Sequence, residues 1–274
     1  MKIRSISTRV AAVAMGAALA VGVAMPASAD STAKVDRGEF AKVVVDKWTL
    51  AQVQKEFDSA GTNVTTSSTS RTVKWKTTTS SYGSVNVSFT KTGGKWIVAS
   101  KSASWGVDAK QTSNKFTQSE FGKVKLNSTL ASVQKTAGTS GVVTYEYKSK
   151  YTNSRTVEWP VPNFKLGYVS VDFDYENGAW KTYSKYAWWA GSPKQVSNKM
   201  TRTEYDKIKE NSTTLDGARK IAGSSGTLNS ESQSEYSHVR SYDWPVASRY
   251  GRVNIDFKYV SGKWTAYDKY AYWG

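Results

Sequence analysis

The chain has 274 residues, 39% hydrophobic and 13% aromatic, and 38 Lys and Arg against 22 Asp and Glu give a formal charge of +16. The absence of cysteine excludes disulfides, thiol catalysis and cysteine-ligated zinc. A basic balance points to acidic partners, whether anionic cell-wall polymer, nucleic acid, an acidic membrane surface or an acidic protein, or else to a solubilising charge.

Residues 1–29 read as a secretory signal peptide. Lys2, Arg4 and Arg9 form a basic start, an Ala/Val-rich run extends from Val10 to Met25, and Ala27-Ser28-Ala29 offers a small-residue cleavage site. The apolar run falls short of the about 20 residues needed to span a bilayer. The expectation is a secreted, extracellular protein with no membrane span, starting at Asp30. Loss of the three basic residues of the leader lowers the charge from +16 to +13. Residues 30–37 are expected to be a flexible start.

From there the chain repeats. Trp96, Trp180 and Trp264 are 84 residues apart, and so are Phe89, Phe173 and Phe257, Lys101, Lys185 and Lys269, and Trp105, Trp189 and Trp273. This period is too long for the common solenoid repeats of about 20–50 residues. It suits one small domain per copy, with module 1 at 38–106, module 2 with its linker at 107–190 and module 3 with its linker at 191–274.

Module 2 shows the element order. Thr117 and Glu120 form a capping box before Phe121 and Val124, with Phe116 as a staple. Thr201 and Glu204 repeat it before Tyr205 and Ile208, whereas the first copy keeps Glu39, Phe40 and Val43 without the box. A second helix starts from a cap at Ser128, carries Leu130, Val133 and Ala137 on one face and stops at Gly138 or Gly141. Strands follow at 142–147, 155–159, 168–175 and 180–188, with Glu176-Asn177-Gly178 as a hairpin turn. The expected fold class is α+β: three tandem modules, each a short helix–loop–helix packed on a four-stranded antiparallel sheet, one sheet face covered and the other free.

The last strands hold the candidate binding residues. Period-2 alternation puts Tyr183, Lys185 and Trp189 on one face, matched by Tyr267, Lys269 and Trp273, with Tyr186 and Trp188 on the other. An exposed Tyr/Trp/Lys platform is typical of protein interfaces, although a cysteine-free domain also uses such aromatics as core. Asp172 and Asp256 are expected to pair across strands with Lys185 and Lys269. Tyr168 and the loop residues Phe164, Lys165, Arg249 and Tyr250 complete the predicted contact. His238 is the single histidine and occurs in one copy, with no nucleophile elbow beside it. Metal-ligand spacing is absent. The expectation is a non-enzyme without cofactor or metal.

With the helices laid out, Lys115-Phe116-Thr117-Gln118 with Phe121, then Val133 and Ala137-Gly138, resembles the helical opening of the beta-lactamase inhibitory protein family. The resemblance implies secreted tandem modules over about residues 34–274. It also implies an inhibitory sheet face rich in Tyr and Trp, and a hairpin loop that enters the target enzyme. The chain departs from that family in having three modules instead of two and no intramodule disulfides. The loops at 76–83, 160–167 and 245–251 contain no Asp or Glu, so no acidic plug is assigned. The expected function is a secreted protein-binding module, an inhibitor of an extracellular enzyme, acting as a monomer by occlusion. The alternative is a basic aromatic binder of anionic cell-wall polymer or nucleic acid, since bases and sugars stack on aromatic rings.

Overall fold

A computed structural model describes residues 33–106 and 114–274. The leader expected at 1–29 and residues 110–113 of the first linker lie outside them. Val35 belongs to the fold, which corrects the expected flexible start: it is fully buried, its N–H donates to the Lys76 carbonyl at 2.9 Å, and its carbonyl accepts from the Thr78 N–H at 3.0 Å.

Every repeat opens with two short helices and continues in four strands. The first holds α1 (Arg37–Lys42), α2 (Leu50–Glu56), β1 (Thr62–Thr66), β2 (Ser70–Lys76), β3 (Ser84–Thr92) and β4 (Lys95–Ser104). The second holds α3 (Gln118–Lys123), α4 (Leu130–Ala137), β5 (Val142–Ser149), β6 (Asn153–Pro160), β7 (Tyr168–Glu176) and β8 (Ala179–Trp188). The third holds α5 (Arg202–Lys207), α6 (Leu215–Ala222), β9 (Thr227–Ser234), β10 (His238–Pro245), β11 (Arg252–Val260) and β12 (Lys263–Tyr272). No described helix is long and apolar enough to cross a membrane.

Helices this short are marginal in isolation, so capping and packing must hold them. Thr117 with Glu120 and Thr201 with Glu204 form the expected capping boxes. The first repeat has one too, built from Asp36 and Glu39. Its apparent loss in the sequence came from Asp standing where the other copies have Thr; a carboxylate accepts the N3 amide equally well. The cap of α4 is Thr129, not Ser128, and Gly138 closes it in a left-handed conformation.

The expectation of three separate four-stranded sheets is overturned. All twelve strands form a single antiparallel sheet in sequence order, from β1 to β12. Ser100–Ser104 of β4 pair with Tyr145–Ser149 of β5, and Ser184–Trp188 of β8 pair with Ser230–Ser234 of β9. The cause lies in the backbone. A four-stranded sheet leaves a row of unpaired N–H and C=O groups at each edge, and pairing the last strand of one repeat with the first of the next removes two such edges at every junction.

The helices cover one face of this sheet. Three apolar clusters lie beneath them, one per repeat; the middle one combines Phe121, Val133 and Ala137 with Val157, Val169, Val171 and Phe173. Val143 packs on both the first and second clusters, and Leu228 on both the second and third. Trp75, Trp159 and Trp244 are buried, while Trp96, Trp180 and Trp264 are half-buried at the margins. At Gly141 the backbone has φ +68°, and an added Cβ would lie 2.4 Å from the Trp159 ring. Glycine is therefore required where the chain enters β5.

A bulge recurs between the third and fourth strand of every repeat. Asp172 faces Ser184 and Phe173 faces Thr182, which leaves Tyr183 as the extra residue. The same registers leave Ala99 and Tyr267 extra in the other repeats.

Candidate functional site

The bulge decides which predicted residues share a face. Upstream of it, strict alternation would place Tyr183 with Lys185; with one extra residue, Tyr183 turns to the uncovered face beside Ser184. Lys185 stays on the helix side, opposite Val171. The predicted Tyr183/Lys185/Trp189 platform is thus split between two faces.

Lys185 is 3% exposed, and its Nζ donates to the carbonyls of Phe121 and Val124, both at 2.8 Å. Lys101 does the same to Phe40 and Ala41, and Lys269 donates to the Tyr205 carbonyl at 2.9 Å. Each ammonium also stands over an aromatic ring, Phe40, Phe121 or Tyr205, at 4.0–4.5 Å. These lysines satisfy the orphan carbonyls at the end of the first helix of each repeat. Trp189 is 6% exposed and meets Phe121 edge-on, and Trp273 meets Tyr205 likewise. Lys185 and Trp189 are therefore packing residues, a correction to their expected surface role, and Lys269 and Trp273 face the helices as well.

The expected ion pairs of Asp172 with Lys185 and of Asp256 with Lys269 are also overturned, because each pair straddles the sheet. Asp172 accepts from the Thr156 hydroxyl at 2.7 Å and from the Ser184 hydroxyl, both on the uncovered face. Asp256 faces Ser241 and Tyr267 there, and burial raises its pKa above the ordinary value.

An aromatic lane runs along that face instead. The Phe164 ring meets Trp188 edge-on at 5.0 Å, Trp188 lies 6.4 Å from Tyr168, and Tyr168 lies 5.8 Å from Tyr186. Tyr145 and Tyr147 approach from β5 through the register with Thr156 and Ser154. Tyr183 is 46% exposed; burial first, then Asp172 and Asp174, push its phenol up to about 12. In the third repeat Tyr267, Tyr270 and Tyr272 continue the lane, all exposed. A polar network lies beneath: Asn254 donates to Asp243 at 2.8 Å and to Ser241 at 2.7 Å.

Lys165, Arg249 and Tyr250 are exposed on loops at the same end of the strands. Of the predicted residues, the structure thus brings Phe164 and Tyr168 together, with Tyr183 and Tyr267 on the same face. Sequence reasoning missed Tyr145 and Tyr147, which the pairing of β5 with β6 puts on this face. It placed Tyr186 and Trp188 on a separate face from Tyr183, and the bulge reunites them.

Both signs of charge meet the lane, with Lys181 opposite Asp174 and Arg252 opposite Tyr272. Glu158, Asp172, Asp174, Asp243 and Asp256 interleave with the tyrosines, while the three conspicuous lysines point away. His238 is on the helix side, where its Nε2 lies 2.7 Å from Glu231 and its ring meets Trp264 edge-on at 4.6 Å. Burial works to raise the Glu231 pKa, but the hydrogen bond from His238 and the charge of Arg240 outweigh it and hold the carboxyl low. This is a strand-to-strand clamp with no hydroxyl nucleophile in its bonding. Among the described residues no group of carboxylates and histidines could hold a metal ion. No protein-family model matches the chain, and no curated protein shows significant similarity to it.

Proposed function

We propose that the chain is a secreted, non-catalytic protein-binding platform that inhibits an extracellular enzyme by covering it. The observation that carries this reading is the uncovered Tyr/Trp lane across the second and third repeats. Tyr and Trp combine large apolar area with a polar tip and few rotatable bonds, which makes them the usual anchors of protein interfaces. Contiguous exposed aromatic surface marks interaction sites. The leader-like segment at 1–29 supports export, and the resemblance to the beta-lactamase inhibitory protein family supports enzyme inhibition through a Tyr-rich face. The loops, lacking an acidic plug, take a flanking role in this reading. Binding of an anionic polymer is the second reading; carboxylates such as Asp172 and Asp174 beside the tyrosines count against it on this face.

The test is capture of culture-supernatant proteins on immobilised chain, with a Tyr168→Ser/Tyr186→Ser variant as the control. The reading expects a protein retained by the native chain, lost from the variant, and inhibited enzymatically by the soluble chain. Equal retention by both, or retention with no loss of the captured enzyme's activity, refutes it.

A further inference from the structure

A cleft of about 900 Å³ opens on the helix side where the second repeat meets the third, a volume that suits a small-molecule site. The start of α3 and the loop at 162–164 contribute one part of its lining, and the linker at 190–194 another. Arg219 of α6, the start of β9 and Tyr242 of β10 complete it, together with Trp189.

Three departures from the repeat pattern meet here. The first is the residue after the cap of the first helix. In the first and third repeats it is an arginine stacked on the tryptophan that closes the repeat, Arg37 on Trp105 at 4.4 Å and Arg202 on Trp273 at 4.9 Å. Arg37 also reaches across the first junction and donates to the Val143 carbonyl at 2.6 Å. The second repeat has Gln118 instead, and Gln118 lines the cleft. The second departure is Arg219, which stands where α2 and α4 carry Gln54 and Gln134. All three side chains donate to a carbonyl six residues on, that of Ala60, Ser140 or Ser225, so the fold needs no charge at this place. The third is Tyr242, where the other repeats bury Val73 and Val157.

Two buried donors of the lining lack an acceptor. Trp189 is 6% exposed, and its indole N–H has no partner. The matching Trp105 donates to Glu146 at 3.0 Å, but Glu231 at that place is engaged by His238 at 2.7 Å and Arg240 at 3.1 Å. Tyr242 is likewise 6% exposed. Its oxygen accepts from Arg219 at 3.2 Å, since a guanidinium only donates, and among the described residues nothing accepts the phenol proton. Buried donors are normally paired, so these two call for an acceptor from outside the chain. The charged residues of the lining are Lys194 and Arg219, with no carboxylate among them.

We infer that this cleft binds a monocarboxylate carried on an apolar, ring-sized body. The carboxylate accepts from Arg219 and the Tyr242 hydroxyl, and Trp189 and Lys194 add donors. Three of the five guanidinium N–H groups are engaged, by Ser225, Asp216 and Tyr242, which leaves two for the ligand. A single negative charge fits better than a phosphate dianion, because Asp216 at 3.3 Å already offsets part of the Arg219 charge. The body packs on Pro162, Phe164 and Leu228, which an inorganic anion would not use. The inference does not rest on the aromatic lane, which lies on the opposite face of the sheet and shares only Phe164 with the cleft.

The probe is 3-phenylpropionate, titrated into the full chain by calorimetry, with 3-phenylpropionamide as the uncharged control and the Trp189 indole N–H followed by NMR. Saturation below about 5 mM is expected, with a shift of that indole signal and about tenfold weaker binding of the amide. Arg219→Gln installs the residue of the other repeats and should weaken binding about tenfold at an unchanged unfolding midpoint. Tyr242→Phe keeps the ring and should weaken it several-fold. Gln118→Arg, at an exposed position, should abolish it by bringing the arginine of the first junction into the cleft. The Tyr168→Ser/Tyr186→Ser chain should bind the probe normally, so this inference and the proposed function fail separately. The tripeptide Gly-Gly-Phe presents the same group at a chain end: tighter binding than 3-phenylpropionate names a peptide terminus as the source, and weaker binding names a free acid. No saturation by either compound at about 5 mM, equal binding of the amide, tighter binding of inorganic phosphate or galacturonate, or full affinity in Arg219→Gln or Gln118→Arg would each overturn the inference.

Discussion

Raising the pH from about 7 to about 9.5 should stabilise this protein, through Lys101 and Lys185. Burial is the main cause that lowers both ammonium groups from the ordinary 10.5 to about 8. Lys148 reinforces the effect on Lys101; for Lys185, Glu231 opposes it and Lys125 and Arg240 add to it. The helix-end carbonyls they donate to work against burial, since they favour the cation. Between about 8 and about 10.5 the folded chain has released these protons while the unfolded chain still holds them, so stability climbs with pH. At less than 5% exposure neither group is much screened, and each contributes about 1–2 kcal/mol over the interval. Towards about pH 10 the tyrosines oppose this, because unfolded phenols lose their protons there while Tyr183, held up to about 12, and Tyr168, Tyr186, Tyr205 and Tyr267, all raised by burial, keep theirs longer. A stability maximum between about pH 9 and 10 follows. Urea unfolding at a series of pH values measures it, with Lys101→Met/Lys185→Met as the control. A flat or falling trend over pH 7–9.5, or the same slope in the double variant, would refute the reasoning.

Gly141→Ala should cost about 2 kcal/mol, because its positive φ and the Trp159 ring exclude a Cβ; thermal unfolding of the variant checks this. Glu146→Gln should cost about 1–3 kcal/mol, since it leaves Arg37 and Arg155 facing each other without their shared carboxylate. The loss should show as faster hydrogen exchange along β4 and β5, and unchanged exchange there would mean that the backbone pairing alone holds the junction. Tyr186→Ala with Trp188→Ala, both on the uncovered face, should weaken partner binding by about 2 kcal/mol or more while leaving the unfolding midpoint nearly unchanged. A large drop in stability with unaltered affinity would assign these rings to packing.

Within one repeat much was legible. The alternation of Val169, Val171 and Phe173 identified the covered face of β7, all three being buried. Asn177-Gly178 turned the hairpin with both residues at positive φ, as a two-residue loop requires. Between repeats little was legible. The pairing of β4 with β5 is made by backbone groups, and the side chains it aligns, Ser102 with Tyr147 and Ser104 with Tyr145, carry no signal that distinguishes a neighbour from solvent. The bulge left no mark either: Ala99 stands where the other repeats have Tyr183 and Tyr267, none of them a glycine or other turn residue, so period-2 reading carried straight through it and assigned Tyr183 to the wrong face. Glu146 and Glu231 were the one clue, an acid recurring at the same place in the first strand of two repeats; Glu146 accepts from the Trp105 indole of the preceding repeat, whereas Glu231 binds His238 and Arg240 of its own.

That one-residue insertion separates two roles that the sequence presents side by side. On the helix side the repeats are alike: Lys101, Lys185 and Lys269 all reach carbonyls of the preceding helix, and Trp105, Trp189 and Trp273 all pack on its ring. Such positions are fixed by packing, and a change there is paid in stability. On the uncovered face the repeats diverge. The first presents Thr72, Asn86, Ser88, Ser100 and Ser102 with Lys74, the second the aromatic lane, and the third Tyr267, Tyr270 and Tyr272 over an Asp243–Asn254 network. No fold requirement demands large aromatics on a face that nothing covers, and the first repeat folds with serine and threonine there. The proposed partner accounts for tyrosines on that face in two repeats out of three, and the Tyr186→Ala/Trp188→Ala variant tests it.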